Sequence, residues 1–75
     1  MGQTNITQEQ GLADVVRGKE KSVVDAITAA LFEVVMYRDK DMECELSYRG
    51  IKLSEEEIHI LNMEVIRIRM ESGLM

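Results

Sequence analysis

Residues 41–50 read DMECELSYRG, and their apolar residues keep a different period from the segments on either side. Met42, Cys44, Leu46 and Tyr48 alternate with Glu43, Glu45, Ser47 and Arg49. A period of two places the apolar set on one face of a half-buried strand. Gly50 then turns the chain, and Ile51 and Leu53 form a short return strand. The expectation is a small β-hairpin. An isolated hairpin is marginal in water, so it must lie on helices or pair with another chain. On this reading Cys44 is a half-buried strand cysteine, with no motif that would make it a nucleophile.

Upstream the period is helical. From Lys19 to about Arg38, apolar residues recur at Val23, Ile27, Ala30, Leu31 and Val34, with Val24 and Val35 widening the stripe. This i, i+3, i+4, i+7 spacing predicts an amphipathic helix. The charged run Arg38-Asp39-Lys40-Asp41 reads as the turn that ends it. Downstream, Ser54 followed by Glu57 is a capping box. It opens a second long helix that runs to about Ser72, with Gly73 as its stop. Glu55, Glu56 and Glu57 complement the positive end of the helix dipole, and Arg67 and Arg69 the negative end.

The amino-terminal part is weaker. Thr7 and Gln10 fit a capping box that opens a first helix, with Leu12, Val15 and Val16 as its apolar face. Gly11 inside that helix costs roughly 1 kcal/mol relative to Ala, and Gly18 reads as its stop. Residues 1–6 are expected to fray, leaving 7–75 as one small domain. The fold class is mainly α: a short first helix and two long helices packed antiparallel, with a small strand or β-hairpin between the long ones.

Composition narrows the function. At 75 residues the chain is one domain at most, and a domain of this size is marginal alone. Cys44 is the single cysteine, so no disulfide forms within the chain. One cysteine and no secretion signal fit a reducing, cytoplasmic setting. No segment approaches the roughly 18 apolar residues of a membrane span. With 14 acidic and 9 basic residues the net charge is −5, which gives no general attraction to phosphate backbones. Arg17, Lys19 and Lys21 cluster, and are read as a solvated turn rather than a nucleic-acid contact.

The last helix carries two apolar clusters. Ile58, Leu61, Val65 and Ile68 form a core stripe at about 100° per residue. Met63, Ile66 and Met70, with His59 one turn earlier, form another cluster well to one side. Asn62 and Arg69 separate the two on one flank, and Glu57 and Glu64 on the other. Phe32 and Met36 likewise lie off the Ile27 stripe of the earlier helix. Apolar surface that one small core does not cover marks an interaction site, and methionine suits a face that adapts to a partner. Phe32, Met36, His59, Met63, Ile66 and Met70 are therefore the candidate partner interface.

Glu56 and His59 have the Glu-x-x-His spacing of carboxylate-bridged metal sites. Such a site needs a second motif and further glutamates on facing helices, for which a homodimer and Glu33 are the only source. Glu56 and His59 point away from the core stripe, and the capping box already explains the acidic turn. No metal and no cofactor are implied. With one His and one Cys no catalytic constellation forms. The expectation is a non-enzymatic, self-associating module that binds another protein, as adaptors, modulators and inhibitors do, including accessory proteins of phages and mobile elements. Two other classes compete with it. One is an acidic mimic of nucleic acid using Asp39, Asp41, Glu43 and Glu45 along one side of the strand. The other is a ligand or metal site assembled between chains.

Overall fold

The computed structural model describes residues 11–73. Among them it forms four helices and no strand: α1 (Leu12–Val16), α2 (Lys21–Met36), α3 (Met42–Tyr48) and α4 (Glu55–Ser72). The capping box expected at Thr7 and Gln10 lies outside the described residues. The expected boundaries of the long helices hold to within two residues. Ser54 Oγ accepts from the Glu57 amide at 3.1 Å, and the Glu57 carboxylate accepts from the Ser54 amide at 3.0 Å. Two of the amides left open at the start of α4 are thus satisfied. Gly73 ends α4 in the left-handed conformation, φ 72°.

The hairpin expected over residues 42–53 is absent, and Met42–Tyr48 is helical. Local chemistry explains why. Asp41 caps the helix, its carboxylate accepting from the Cys44 amide at 3.2 Å. Glu45 and Arg49, four residues apart, form an ion pair at 2.6 Å. Gly50 takes φ 74°, the Ile51 amide donates to the Leu46 carbonyl at 2.8 Å, and the Gly50 amide to that of Ser47 at 3.0 Å. These two bonds form a Schellman stop. Met42 and Leu46 are buried, as both a strand and a helix would have them, because they are four residues apart. Cys44 and Tyr48, which only a strand would bury with them, are exposed.

Helix α1 is shorter than expected at its start. Gly11 is its extended N-cap residue rather than an interior position, and Gly18 with φ 79° follows its end. A five-residue helix is held by tertiary contact rather than by propensity. Here Val15 is fully buried, Leu12 and Val16 pack partly on the core, and α1 rests on α2 and α4. The core is completed by Ile27, Ala30, Leu31, Val34 and Val35 of α2, by Met42 and Leu46 of α3, and by Ile60, Leu61 and Val65 of α4. Ile58 and Ile68 are only partly buried, and Ile60, outside the expected stripe, is buried. Glu64 is the one buried charged residue among those described. It lies under the start of α1, and its carboxylate is held by Arg67, whose Nε donates at 3.3 Å. A Cβ on Gly11 would lie 3.1 Å from Glu64 Oε1.

The long helices do not run antiparallel. Their like ends meet. Lys19, just before α2, pairs with Glu57 in the first turn of α4 at 2.9 Å. Arg69, in the last turn of α4, donates through Nε to the Val35 carbonyl at 3.2 Å and through Nη2 to that of Val34. A short connection would force the antiparallel sense, but this one holds α3. Seven helical residues rise about 10 Å, and residues 49–54, if extended, add about 20 Å. That is enough to bring the chain back along α2, whose 16 residues rise about 24 Å.

A helix and a strand over residues 42–48 make different demands on Cys44. Leu46→Ala should cost about 2–5 kcal/mol through the cavity it leaves, whereas Cys44→Ala should be close to neutral. Thermal melts followed by circular dichroism check this. Equal losses in the two variants would restore the half-buried strand.

Candidate functional site

The outer faces of α2 and α4 hold the candidate surface. Phe32, Met36, Met63, Ile66 and Met70 are each between 42% and 66% exposed, although the core is closed without them. His59 is exposed on the same side of α4. On α4 the helical turn forces this arrangement. Leu61 and Val65 take the inner face, so His59, Met63, Ile66 and Met70, roughly 100–180° from them at about 100° per residue, look outward. Tyr37 follows Met36 and is also exposed, with the Lys40 ammonium 5.7 Å from its ring centre. The sequence reading omitted Tyr37. Its signal was position alone: it follows Met36 directly at the end of the helix.

Met63, Ile66 and Met70 do more than line a flat face. With Leu12 and Ala13 of α1 they wall a groove of about 590 Å3, whose polar edge is Asp14, Glu64 and Arg67. Arg67 is engaged there, since it also reaches Glu71 at 3.2 Å. A second hollow of about 490 Å3 lies between α2 and α3, lined by Glu33, Lys40, Cys44, Glu45, Tyr48 and Arg49. Its charges neutralise one another. Lys40 lies 3.5 Å from both Glu33 and Glu45, and Glu45, the stronger influence, raises the Lys40 pKa above its usual value. The neighbouring Asp41 carboxylate accepts a hydrogen bond from the Cys44 thiol and pushes its pKa up, which disfavours the nucleophilic thiolate.

The residues of the metal hypothesis are apart in the chain. Glu33 turns toward Lys40, while Glu56 and His59 are exposed on α4. Among the described residues no three of His, Cys, Asp and Glu are grouped to hold a metal ion. The acidic run of the nucleic-acid mimic also loses its geometry, because there is no strand side for it to follow. Asp41 is occupied as a cap and Glu45 pairs with Arg49 and Lys40. The basic cluster is paired as well: Arg17 with Asp14 at 2.9 Å, Lys19 with Glu57, and Lys21 with Asp25 at 3.2 Å. No helix among the described residues is long and apolar enough to cross a membrane.

The acidic turn that carries the Glu-x-x-His spacing is a folding device. The Ser54 amide, and then the Lys19 ammonium, hold the Glu57 carboxyl below its ordinary value of 4.5. A lowered folded-state pKa stabilises above the unfolded value and is lost as pH falls through the folded one. Melting temperature should therefore drop on acidification below about pH 4.5, and Glu57→Gln should flatten that part of the profile while lowering the melting temperature at pH 7. An unchanged acid limb in the variant would mean that the Glu57 carboxylate does not stabilise the start of α4. Compared with known proteins, the chain matches no family model, no curated protein and no solved structure.

Proposed function

We propose that the chain is a small protein-binding module of a reducing, cytoplasmic setting, acting by surface contact rather than by catalysis. It associates with copies of itself through its outer apolar helix faces, and occupies a surface on another protein as an adaptor, modulator or inhibitor does. The observation that carries this reading is the exposure of Phe32, Met36, Met63, Ile66 and Met70 outside a core that is already closed. Burying a side chain of this size contributes about 1.5–3 kcal/mol, so a partner that covers several of them gains a useful affinity. Methionine at three of the five positions adds adaptability, because its unbranched chain repacks at low cost. The charged groups support contact over chemistry, since most of them are committed to caps and ion pairs that hold the fold.

Static light scattering at micromolar concentration should give at least twice the chain mass of 8.6 kDa. Met63→Glu or Ile66→Glu should return the mass to that of one chain and keep the helical circular dichroism signal. Leu61→Glu or Val65→Glu should abolish the signal itself, because a buried unpaired charge costs several kcal/mol. A monomeric wild-type protein, or identical behaviour of the two pairs of variants, would sink the self-association.

A further inference from the structure

Helix α1 is fastened to the other helices by apolar contact. Val15 is fully buried, and Leu12 and Val16 pack partly on the core. The polar bonds of α1 stay within it: the Gly11 amide donates to Asp14 at 3.3 Å, and Arg17 pairs with Asp14 at 2.9 Å. Among the described residues no hydrogen bond or ion pair joins residues 11–17 to α2, α3 or α4. Beneath α1 lies Glu64, 8% exposed, with both carboxylate oxygens accepting from Arg67. Glu64 and Arg67 belong to the same helix, so that bond is available whether α1 is docked or not. Docking takes the carboxylate out of water and gives it no new partner, a desolvation cost that falls on the docked state alone.

We propose that α1 is a strap: it leaves α2 and α4 as a unit, turning about Arg17 and Gly18, while α2, α3 and α4 stay folded. The chain is anchored just past the hinge, where Lys19 pairs with Glu57 at 2.9 Å. Gly18 has φ 79° and nothing within 4 Å of the place a Cβ would take, so rotation there meets no neighbouring element. The turn bond across the hinge, from the Lys19 amide to the Val16 carbonyl at 3.0 Å, is released as the strap swings. Docking orders five helical residues against one fully buried side chain and two partly buried ones. Ordering costs and burial gains of this kind are of similar size, and the charge beneath α1 counts against closure. Opening of such an element is sub-global, at a free energy below that of whole unfolding. Open, the strap takes Leu12 and Ala13 away from the groove and uncovers Glu64 beside Met63, Ile66 and Met70. The strap therefore sets how much of the α4 face a partner can reach. That consequence rests on the surface-contact reading above, whereas the opening itself does not.

Thiol labelling in the full chain reads the opening. Cys44, which is exposed, is changed to Ser, and the reporter is Val15→Cys or, separately, Ala30→Cys in the core. Iodoacetamide should label the thiol at 15 at least about tenfold faster than that at 30, with a shallower urea dependence, because the opening exposes less surface than unfolding does. Equal rates and equal urea slopes at the two positions mean that α1 leaves only with global unfolding, and overturn the strap. Adding Glu64→Met should slow labelling at 15 several-fold; unchanged or faster labelling there overturns the part given to the carboxylate. If Val15→Cys loses its helical circular dichroism signal, hydrogen exchange of the unaltered chain replaces it. Val15 and Val16 amides that share one opening free energy and one urea slope, both below those of Leu61, support the strap. Graded exchange without a urea slope is fraying, and values equal to those of Leu61 are global unfolding; either overturns it. These readouts need no partner, so loss of the strap leaves the surface-contact reading standing, and a chain that scatters light as a monomer leaves the strap standing.

Discussion

The last carbonyls of α2 have no partners inside their own helix, and the fold is arranged around the side chain that reaches them. Arg69 offers several donors in a planar fork and takes the carbonyls of Val34 and Val35 together. A cation at this place also meets the negative end of the α2 dipole. Because Arg69 belongs to the last turn of α4, satisfying α2 in this way brings the two helix ends side by side. The chain must then travel back along α2 before α4 can begin, and α3 with residues 49–54 makes that return. Lys19 and Glu57 close the opposite end. Helix α1, too short to stand by itself, fits the remaining side and buries Val15.

Much of this could be read before any coordinates. The apolar stripe of α2, the reciprocal cap at Ser54 and Glu57, and the stop at Gly73 follow from strong local rules, and the helices begin and end close to where those rules place them. The misread segment is instructive because its two deepest residues, Met42 and Leu46, satisfy a period of two and a helical turn equally. The decisive signals lay outside the alternation: Asp41 three residues before Cys44, Glu45 four before Arg49, and a glycine where a helix end needs positive φ. The sense of packing was not legible, because it depends on Arg69 reaching residues 34 and 35 positions away. No periodicity within one helix encodes such a contact.

The candidate surface was legible for a simpler reason. A helix has one inner side, so a second apolar cluster on α4 had to face outward once Leu61 and Val65 were committed inward. Glu64 was harder. It was taken as part of the polar flank, yet α1 lies over it, and only the tertiary placement of a five-residue helix buries it. Tyr37 was missed because the helical wheel stops being a guide at a helix end, where the backbone turns extended. The groove beside Met63, Ile66 and Met70 has the same origin, since its far wall is α1.

The contact between Gly11 and Glu64 sets a rule for how the sequence can drift. A methyl group at position 11 would press on a carboxylate that Arg67 already holds in place, so the carboxylate would have to yield by a few tenths of an ångström. Position 11 is therefore tied to position 64, which follows it by most of the chain's length. A descendant sequence that gains alanine at 11 retains the same packing most easily with a shorter side chain at 64, and one that first loses the acid at 64 leaves 11 free to vary. A change at 64 therefore precedes one at 11 more easily than it follows it.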